Sequence, residues 1–255
     1  MRGVELSFVK TSPTGNTTVL VSTPVDRRLH GEAARLLMAR DVCGAEQVCF
    51  REPSDTARER MQMMGGEFCV NAAMSMAACF LDEDGGEEGE YPLEASGAGG
   101  ILRVSARRVG KNRFACQAPL TGEIRVEGDT VHLPGIVHRI VEGEPDEGAE
   151  ERLTRWARED GGEAYGFIFV KDGGARPLVY VPGSGTLVWE SACGSGMAAA
   201  AALAAQRAGE SREVALAMPG GEMAALARWE KGRIAGVTVR GMVEITLRGT
   251  AYIGL

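Results

Sequence analysis

Glu190-Ser-Ala-Cys193-Gly-Ser-Gly196-Met-Ala-Ala-Ala-Ala-Ala202 is the stretch that decides how this chain is read. A cysteine stands in a run of small, turn-forming residues, and an alanine-rich helix is expected from there to Gly209. Ser and Gly suit a helix start, and Ala is the best helix former. Cys193 is therefore expected at a helix N-terminus, where unpaired backbone N–H groups and the positive end of the macrodipole favour negative charge. Such a place should lower a thiol pKa and should also hold a carboxylate.

The chain contains this arrangement twice. Gly65-Gly-Glu-Phe-Cys69-Val-Asn71-Ala-Ala-Met74 leads into an Ala/Met-rich segment ending at Asp82-Glu-Asp-Gly-Gly86. Aligning Cys69 with Cys193 sets Asn71 on Ser195, and the two cysteines lie 124 positions apart, close to half the chain. One cysteine at a helix start is more often packing than chemistry. Two in matching contexts, one per half, read as a duplicated unit that presents one thiol from each copy.

Composition narrows the class. The chain has 255 residues, 44% hydrophobic and 25% charged, with a formal net charge of −7. Those values are ordinary for a globular protein of one large or two small domains. Arg and Lys are scattered, so no nucleic-acid footprint is expected. No run of 18 apolar residues predicts a membrane span, and the first residues carry no apolar core of a signal peptide. The six cysteines are accordingly expected as reduced thiols in the cytoplasm. Their spacing fits no zinc pattern, and His30, His132 and His138 are too dispersed for a metal site. None of the four lysines lies in a glycine-rich phosphate loop, so pyridoxal phosphate is not expected.

Along the chain, 4–22 reads as a hairpin turning at Ser12-Pro-Thr-Gly-Asn16, and 32–40 as a helix. A short strand starts at Glu46, and further strands are expected at 91–95, 100–106 and 113–117. Asn16 at a turn and Glu46 at a strand start are more often structural than functional. Ala118-Pro-Leu-Thr-Gly122 is the expected crossing between halves. Residues 130–141 form a strand broken at Pro134-Gly135, with His138 just beyond the break, and 153–160 is a helix carrying Trp156. Strands are then expected at 165–170, 178–181 and 186–189, the last two joined by Pro182-Gly-Ser-Gly185. After the second cysteine motif come strands at 213–218, 223–228, 234–239 and 242–247, with 251–255 closing the chain. Short strands around two central helices describe a two-domain α+β protein.

A thiolate and a thiol facing each other across a cleft suit proton exchange at carbon. One removes the α-proton of an amino acid, and the other protonates the opposite face, inverting the centre. Two helix N-termini could hold the α-carboxylate and stabilise the carbanion. A base near neutral pH is efficient for such a step.

At this point the sequence resembles a known family. The resemblance is carried by Ser12-Pro-Thr-Gly-Asn16, Val42-Cys-Gly-Ala-Glu46-Gln-Val, Gly66-Glu-Phe-Cys69-Val-Asn71, Leu178-Val-Tyr-Val-Pro182, Trp189-Glu190-Ser-Ala-Cys193-Gly-Ser-Gly196, Pro219-Gly-Gly221 and Ala251-Tyr-Ile253. Together these motifs resemble the cofactor-independent histidine racemases of staphylopine-type metallophore biosynthesis, within the diaminopimelate epimerase-like fold family. The resemblance implies two pseudo-symmetric domains, 1–119 with Cys69 and 120–248 with Cys193, and a final strand 249–255 returning to the first. It implies that Cys69 and Cys193 are the acid–base pair. Glu46 and Glu190 would position substrate or tune the thiols, and Asn16 and Asn71 would hold its polar groups. Gly194 and Ser195 would supply carboxylate-binding amides, with His138 in support. It implies no cofactor, no metal and a homodimer. The sequence departs from the family's Cys-Gly-Asn at the first motif, where Val70 stands in place of glycine and cannot comfortably take φ > 0.

Four other readings compete. Diaminopimelate epimerases carry an arginine for the far carboxylate in the stretch that here reads Val181-Pro-Gly-Ser-Gly185, without one. A racemase of another amino acid, or a non-catalytic amino-acid-binding relative, would keep the same fold. A cysteine hydrolase would want a histidine beside one thiol, and neither motif contains one.

Overall fold

A computed structural model describes residues 3–255. The first half carries β1 (Gly3–Pro13), β2 (Thr18–Val21), α1 (His30–Met38), β3 (Gln47–Glu52), β4 (Glu59–Met63), α2 (Val70–Asp84), β5 (Glu88–Ala95), β6 (Ile101–Gly110) and β7 (Arg113–Leu120). The second carries β8 (Arg125–Glu127), β9 (Thr130–Leu133), β10 (Ile136–Glu142), α3 (Ala149–Asp160), β11 (Tyr165–Lys171), β12 (Gly174–Val181), β13 (Thr186–Trp189), α4 (Gly194–Ala208), β14 (Arg212–Met218), β15 (Gly221–Glu230) and β16 (Arg233–Gly254). The fold is mixed α+β, rich in strands and poor in helices. Among the described residues, no helix is long and apolar enough to cross a membrane.

The strands follow one hydrogen-bonded path, β1-β2-β3-β4-β5-β6-β7-β16-β15-β14-β12-β11-β10-β9-β8, with β13 paired to β12. Most neighbours are antiparallel, but β2–β3, β4–β5, β10–β11 and β12–β14 run parallel. The expected breaks within 234–254 are absent, because β16 is one strand of 22 residues. It pairs in turn with β15, β7 and β1. Gly241, which looks like a strand breaker, serves close packing instead. A Cβ there would stand 2.9 Å from Thr14 Oγ1 and 3.4 Å from Met74 Cε.

Two helices lie inside this wrapping. Every residue of α2 from Val70 to Leu81 is buried, and α4 is buried along most of its length. A helix apolar on all faces belongs in a core, and small Ala residues let the strands approach it closely. α2 packs on β5, β6, β7 and β16, and α4 on β14, β15, β16 and β10. Both end in a left-handed glycine, Gly85 at φ 67° and Gly209 at φ 66°, which satisfies the last carbonyls without a Cβ penalty. The outer helices are amphipathic instead. α1 buries Leu37 toward β3. α3 buries Leu153, and its Trp156 stacks on Phe167 at 5.7 Å. Truncating Leu153 to Ala would cost about 2–5 kcal/mol.

Two turns tie the halves together beside the helix starts. Gly15, at φ +85°, has no room for a side chain, since a Cβ would meet Gly220 Cα at 2.4 Å. Gly220 likewise faces Thr14 O, and its N–H donates to Ser191 O at 2.7 Å.

Candidate active site

The N-termini of α2 and α4 meet. Cys69 and Cys193 are themselves the N-cap residues, with extended backbone at φ −124°, ψ 113° and φ −127°, ψ 107°. Each Sγ accepts a backbone N–H three residues on, from Ala72 and from Gly196, both at 3.4 Å. Serine or aspartate usually fills this place; here sulfur does, and the thiol is held over free amide donors. Asn71 Nδ2 crosses to Ala192 O at 2.9 Å, locking one helix start to the other. Val70 is the first residue of α2, and its φ is not positive. Its side chain occupies the space above Gly194, where a Cβ would be 2.7 Å from the Val70 Cβ. The bulk lost at Gly194 is thus present at Val70, and the departure at the first motif needs no strained backbone.

The surroundings of the two thiols differ. Cys69 Sγ donates to Gln47 Oε1 at 2.9 Å, and Gln47 Nε2 donates to Asn16 Oδ1. Asn16 is fully buried, and its Nδ2 donates to Glu46 Oε2 at 3.0 Å. Glu46 then accepts from Ser191, from its N–H at 3.1 Å and from its hydroxyl at 2.6 Å. One chain of hydrogen bonds therefore runs from the first thiol to the residue two before the second. Cys193 Sγ lies 3.4 Å from Ser195 Oγ, which is 2.8 Å from His138 Nε2. The absence of histidine from both motifs was only local: β10 delivers one to the second site. Gly166 makes room for it, since a Cβ there would stand 2.2 Å from Nδ1. Burial holds the His138 pKa down to about 3, so the ring is neutral near pH 7.

The expectation of acidified thiols is corrected. Burial pushes the Cys69 thiol up to about 12, and pushes Cys193 well above its ordinary value. The negative charge of Glu190 adds to both shifts. The amides of Ala72 and Gly196 pull the other way but do not offset the loss of water. Glu190, also buried, is raised to about 7, with Cys193 and Asn16 pulling it down. Burial raises Glu46 as well, partly countered by Ser191. Burial thus favours the thiol form at both sites, and all six cysteines of the chain are free of disulfides.

These groups line one narrow cleft between the two helix starts. Of the residues singled out from sequence, Cys69, Cys193, Glu46, Asn71, Glu190, Gly194 and Ser195 line it. Asn16 and His138 do not; each stands behind a lining residue, Asn16 behind Gln47 and His138 behind Ser195. Sequence reasoning missed two lining residues, Gln47 and Glu67. Both stand inside the motifs themselves, Gln47 just after Glu46 and Glu67 two before Cys69, and that placement was the available signal. It also missed the apolar wall from the second half, which includes Ile136, Val179, Val181 and Val188.

Comparison with known proteins gives a family match along nearly the whole chain. Residues 5–252 match the family model described as the histidine racemase CntK N-terminal domain. A histidine racemase of Fusobacterium nucleatum subsp. nucleatum is 29% identical over 214 residues, covering 76% of this chain and 79% of that protein. One from Staphylococcus aureus is 24% identical over 273 residues, covering 97% and 98%. Among solved structures, a hydroxyproline epimerase from Agrobacterium vitis superimposes with a TM-score of 0.67 at 15% identity, covering 98% of this chain and 93% of that one.

Proposed function

The chain belongs to the histidine racemase family whose domain model it matches, and from that premise we propose that it interconverts L- and D-histidine by a two-thiol, cofactor-independent mechanism. It is an isomerase of the racemase class, acting on a small amino acid substrate. The observation that carries the mechanism is the convergence of two cysteine-capped helix starts on one cleft.

In this reading the α-carboxylate sits over the amides at the starts of α2 and α4, which include those of Gly194 and Ser195. The substrate brings an α-ammonium into a cleft lined by Glu46, Glu67 and Glu190 and by no Arg, Lys or His. That positive charge offsets the carboxylates that raise the thiols, so substrate binding itself lowers their pKa. Glu190, titrating near 7 beside Cys193, is the group suited to take a thiol proton. The thiolate so formed removes the α-proton, and the opposite thiol delivers its own to the other face. After one inversion the two sulfurs have exchanged protonation states, and the reverse reaction uses them in the opposite order. The chain through Gln47, Asn16 and Glu46 orients Cys69, and Ser195 with His138 orients Cys193.

The same reading takes the protein as two pseudo-symmetric domains of the diaminopimelate epimerase-like fold, 1–119 and 120–248, with 249–255 returning to the first. The parallel build of α2 and α4 supports it: cysteine cap, buried small-residue body and left-handed glycine end. It takes the enzyme as a cytoplasmic homodimer that supplies D-histidine to an opine metallophore of the staphylopine type. Diaminopimelate is disfavoured, because its far carboxylate would find no cationic side chain in the cleft lining.

The test is an α-proton exchange panel. Reduced protein without added cofactor is incubated in D2O with single L-amino acids and with diaminopimelate, and exchange and chirality are followed by NMR. Exchange with inversion confined to histidine is the expected result. Inversion of a different amino acid would retain the two-thiol mechanism and discard histidine. No exchange at all, with both thiols shown free, would favour a binding protein.

A further inference from the structure

We infer that Glu67 reads the substrate side chain, its buried carboxylate accepting an N–H from an imidazole ring seated between apolar walls. The inference rests on the histidine reading above and names the group that selects that substrate.

The cleft has two kinds of lining. Around the helix starts stand the thiols with Asn71, Glu190, Gly194 and Ser195; Phe68, Ile136, Ala164, Val179, Val181 and Val188 make an apolar remainder. Glu67 lines the same cleft on the side of Val181. Its carboxylate fits because Gly65 has no side chain: a Cβ there would lie 2.6 Å from Glu67 Oε2 and 2.9 Å from Val181 Cγ1. Glu67 is 6% exposed, and its Oε2 has no hydrogen-bond partner. An orphaned buried carboxylate oxygen carries an uncompensated desolvation cost. The backbone amides of Gly65 and Glu67 act on the carboxylate, but no cationic side chain in the lining meets Oε2, and a ligand N–H is the donor that would complete it.

Three orphaned acceptors line the cleft: Oε2 of Glu67, Oε2 of Glu190 and Oδ1 of Asn71. Glu190 and Asn71 belong to the region of the thiols, where the reacting carbon must sit, and an α-ammonium has three N–H groups to satisfy them. Glu67 lies on the Gly65–Val181 side and asks for one donor more. An imidazole has apolar faces for the valines and an N–H on its edge for the carboxylate. An aliphatic side chain would fill the same space and leave Glu67 unpaired, which is the kind of site that rejects a ligand lacking the donor.

The test compares wild type, Glu67→Gln and Glu67→Ala by α-proton exchange in D2O with L-histidine and its two ring N-methyl isomers. Loss of one charge-assisted hydrogen bond should raise KM for histidine about ten- to a hundredfold in Glu67→Gln, with kcat changed less than about threefold. Wild type should refuse one methyl isomer, and Glu67→Ala should no longer discriminate between the two. Unchanged KM in both variants overturns the assignment, and so does wild-type turnover of both isomers at the rate of histidine. A fall in kcat at constant KM overturns it too, moving Glu67 to the thiol chemistry. Wild type that inverts another amino acid but not histidine defeats the parent reading instead, and Glu67's role with it.

Discussion

Cys69 and Cys193 occupy equivalent places and live in different surroundings. Both cap a helix with sulfur, both hold an amide at 3.4 Å, and both face one cleft. Cys69 is half-buried and tied through Gln47 and Asn16 to Glu46; Cys193 is buried and set against Ser195, His138 and Glu190. Two similar helix starts thus fix where the two sulfurs sit, while the residues around each give it a different hydrogen-bonding environment. An L- and a D-substrate present mirror-image faces, so the two sites can share a framework without sharing neighbours.

The harshest way to break this comparison is to remove one sulfur at a time. Cys69→Ser and Cys193→Ser should each lower racemisation by roughly a thousandfold, the scale of a lost acid–base group. Residual α-proton exchange should favour opposite enantiomers in the two variants. Near-normal racemisation by either one would sink the two-thiol mechanism.

Glu190 sharpens the contrast next. In the folded chain its carboxyl titrates near 7, whereas in the unfolded chain it releases its proton at the ordinary carboxylate value. Between those values the folded state holds more protons, so stability falls as pH rises through the window, by on the order of 3 kcal/mol for this group. Glu46 and Glu67 are shifted in the same direction. Melting temperature should therefore fall between about pH 5 and pH 7, and Glu190→Gln should flatten that slope. An equally steep decline in the variant would show that Glu190 is not the group responsible. The variant should also lose roughly ten- to a hundredfold in kcat if Glu190 takes a thiol proton.

The smallest effect concerns the packing between the sites. Gly194→Ala places a methyl 2.7 Å from the Val70 Cβ and should cost about 1–3 kcal/mol as an overpacking change. Combining it with Val70→Gly removes the contact with Val70 and leaves the one with Asn71 Oδ1 at 3.0 Å, so denaturant unfolding of the double variant should show a coupling of about 1 kcal/mol. Strict additivity would mean that the two residues do not share one space.

The two helix starts were legible because capping residues, Ala-rich runs and terminal glycines are local signals. So were the hairpins at Asn16 and Pro182-Gly-Ser-Gly185, whose turn residues mark themselves. The continuity of β16 was not. Gly241 and Gly249 read as breaks, and only the tertiary neighbours of Gly241 show that a glycine was needed for close approach. Thiol acidity was misjudged for the same reason: a helix start is visible in sequence, but the depth at which it is buried is not. Gln47 and Glu67 escaped because a polar residue within a motif carries no period of its own. Their meaning comes from what they face, and most of that wall is supplied by the other half of the chain.

The pairing of β1 with β16 has a consequence for how the molecule comes into being. Gly3 pairs with Gly254 and Pro13 with Val243, so one edge of β1 is closed only by a strand that follows every other strand of the sheet in sequence. Contacts so distant in sequence must repay loop-closure entropy before they stabilise anything. During synthesis the first half therefore emerges with that edge open, able to pair with other chains. Refolding should be slow and dependent on protein concentration, and removal of the last few strand residues should be felt first as aggregation rather than as a change in catalysis.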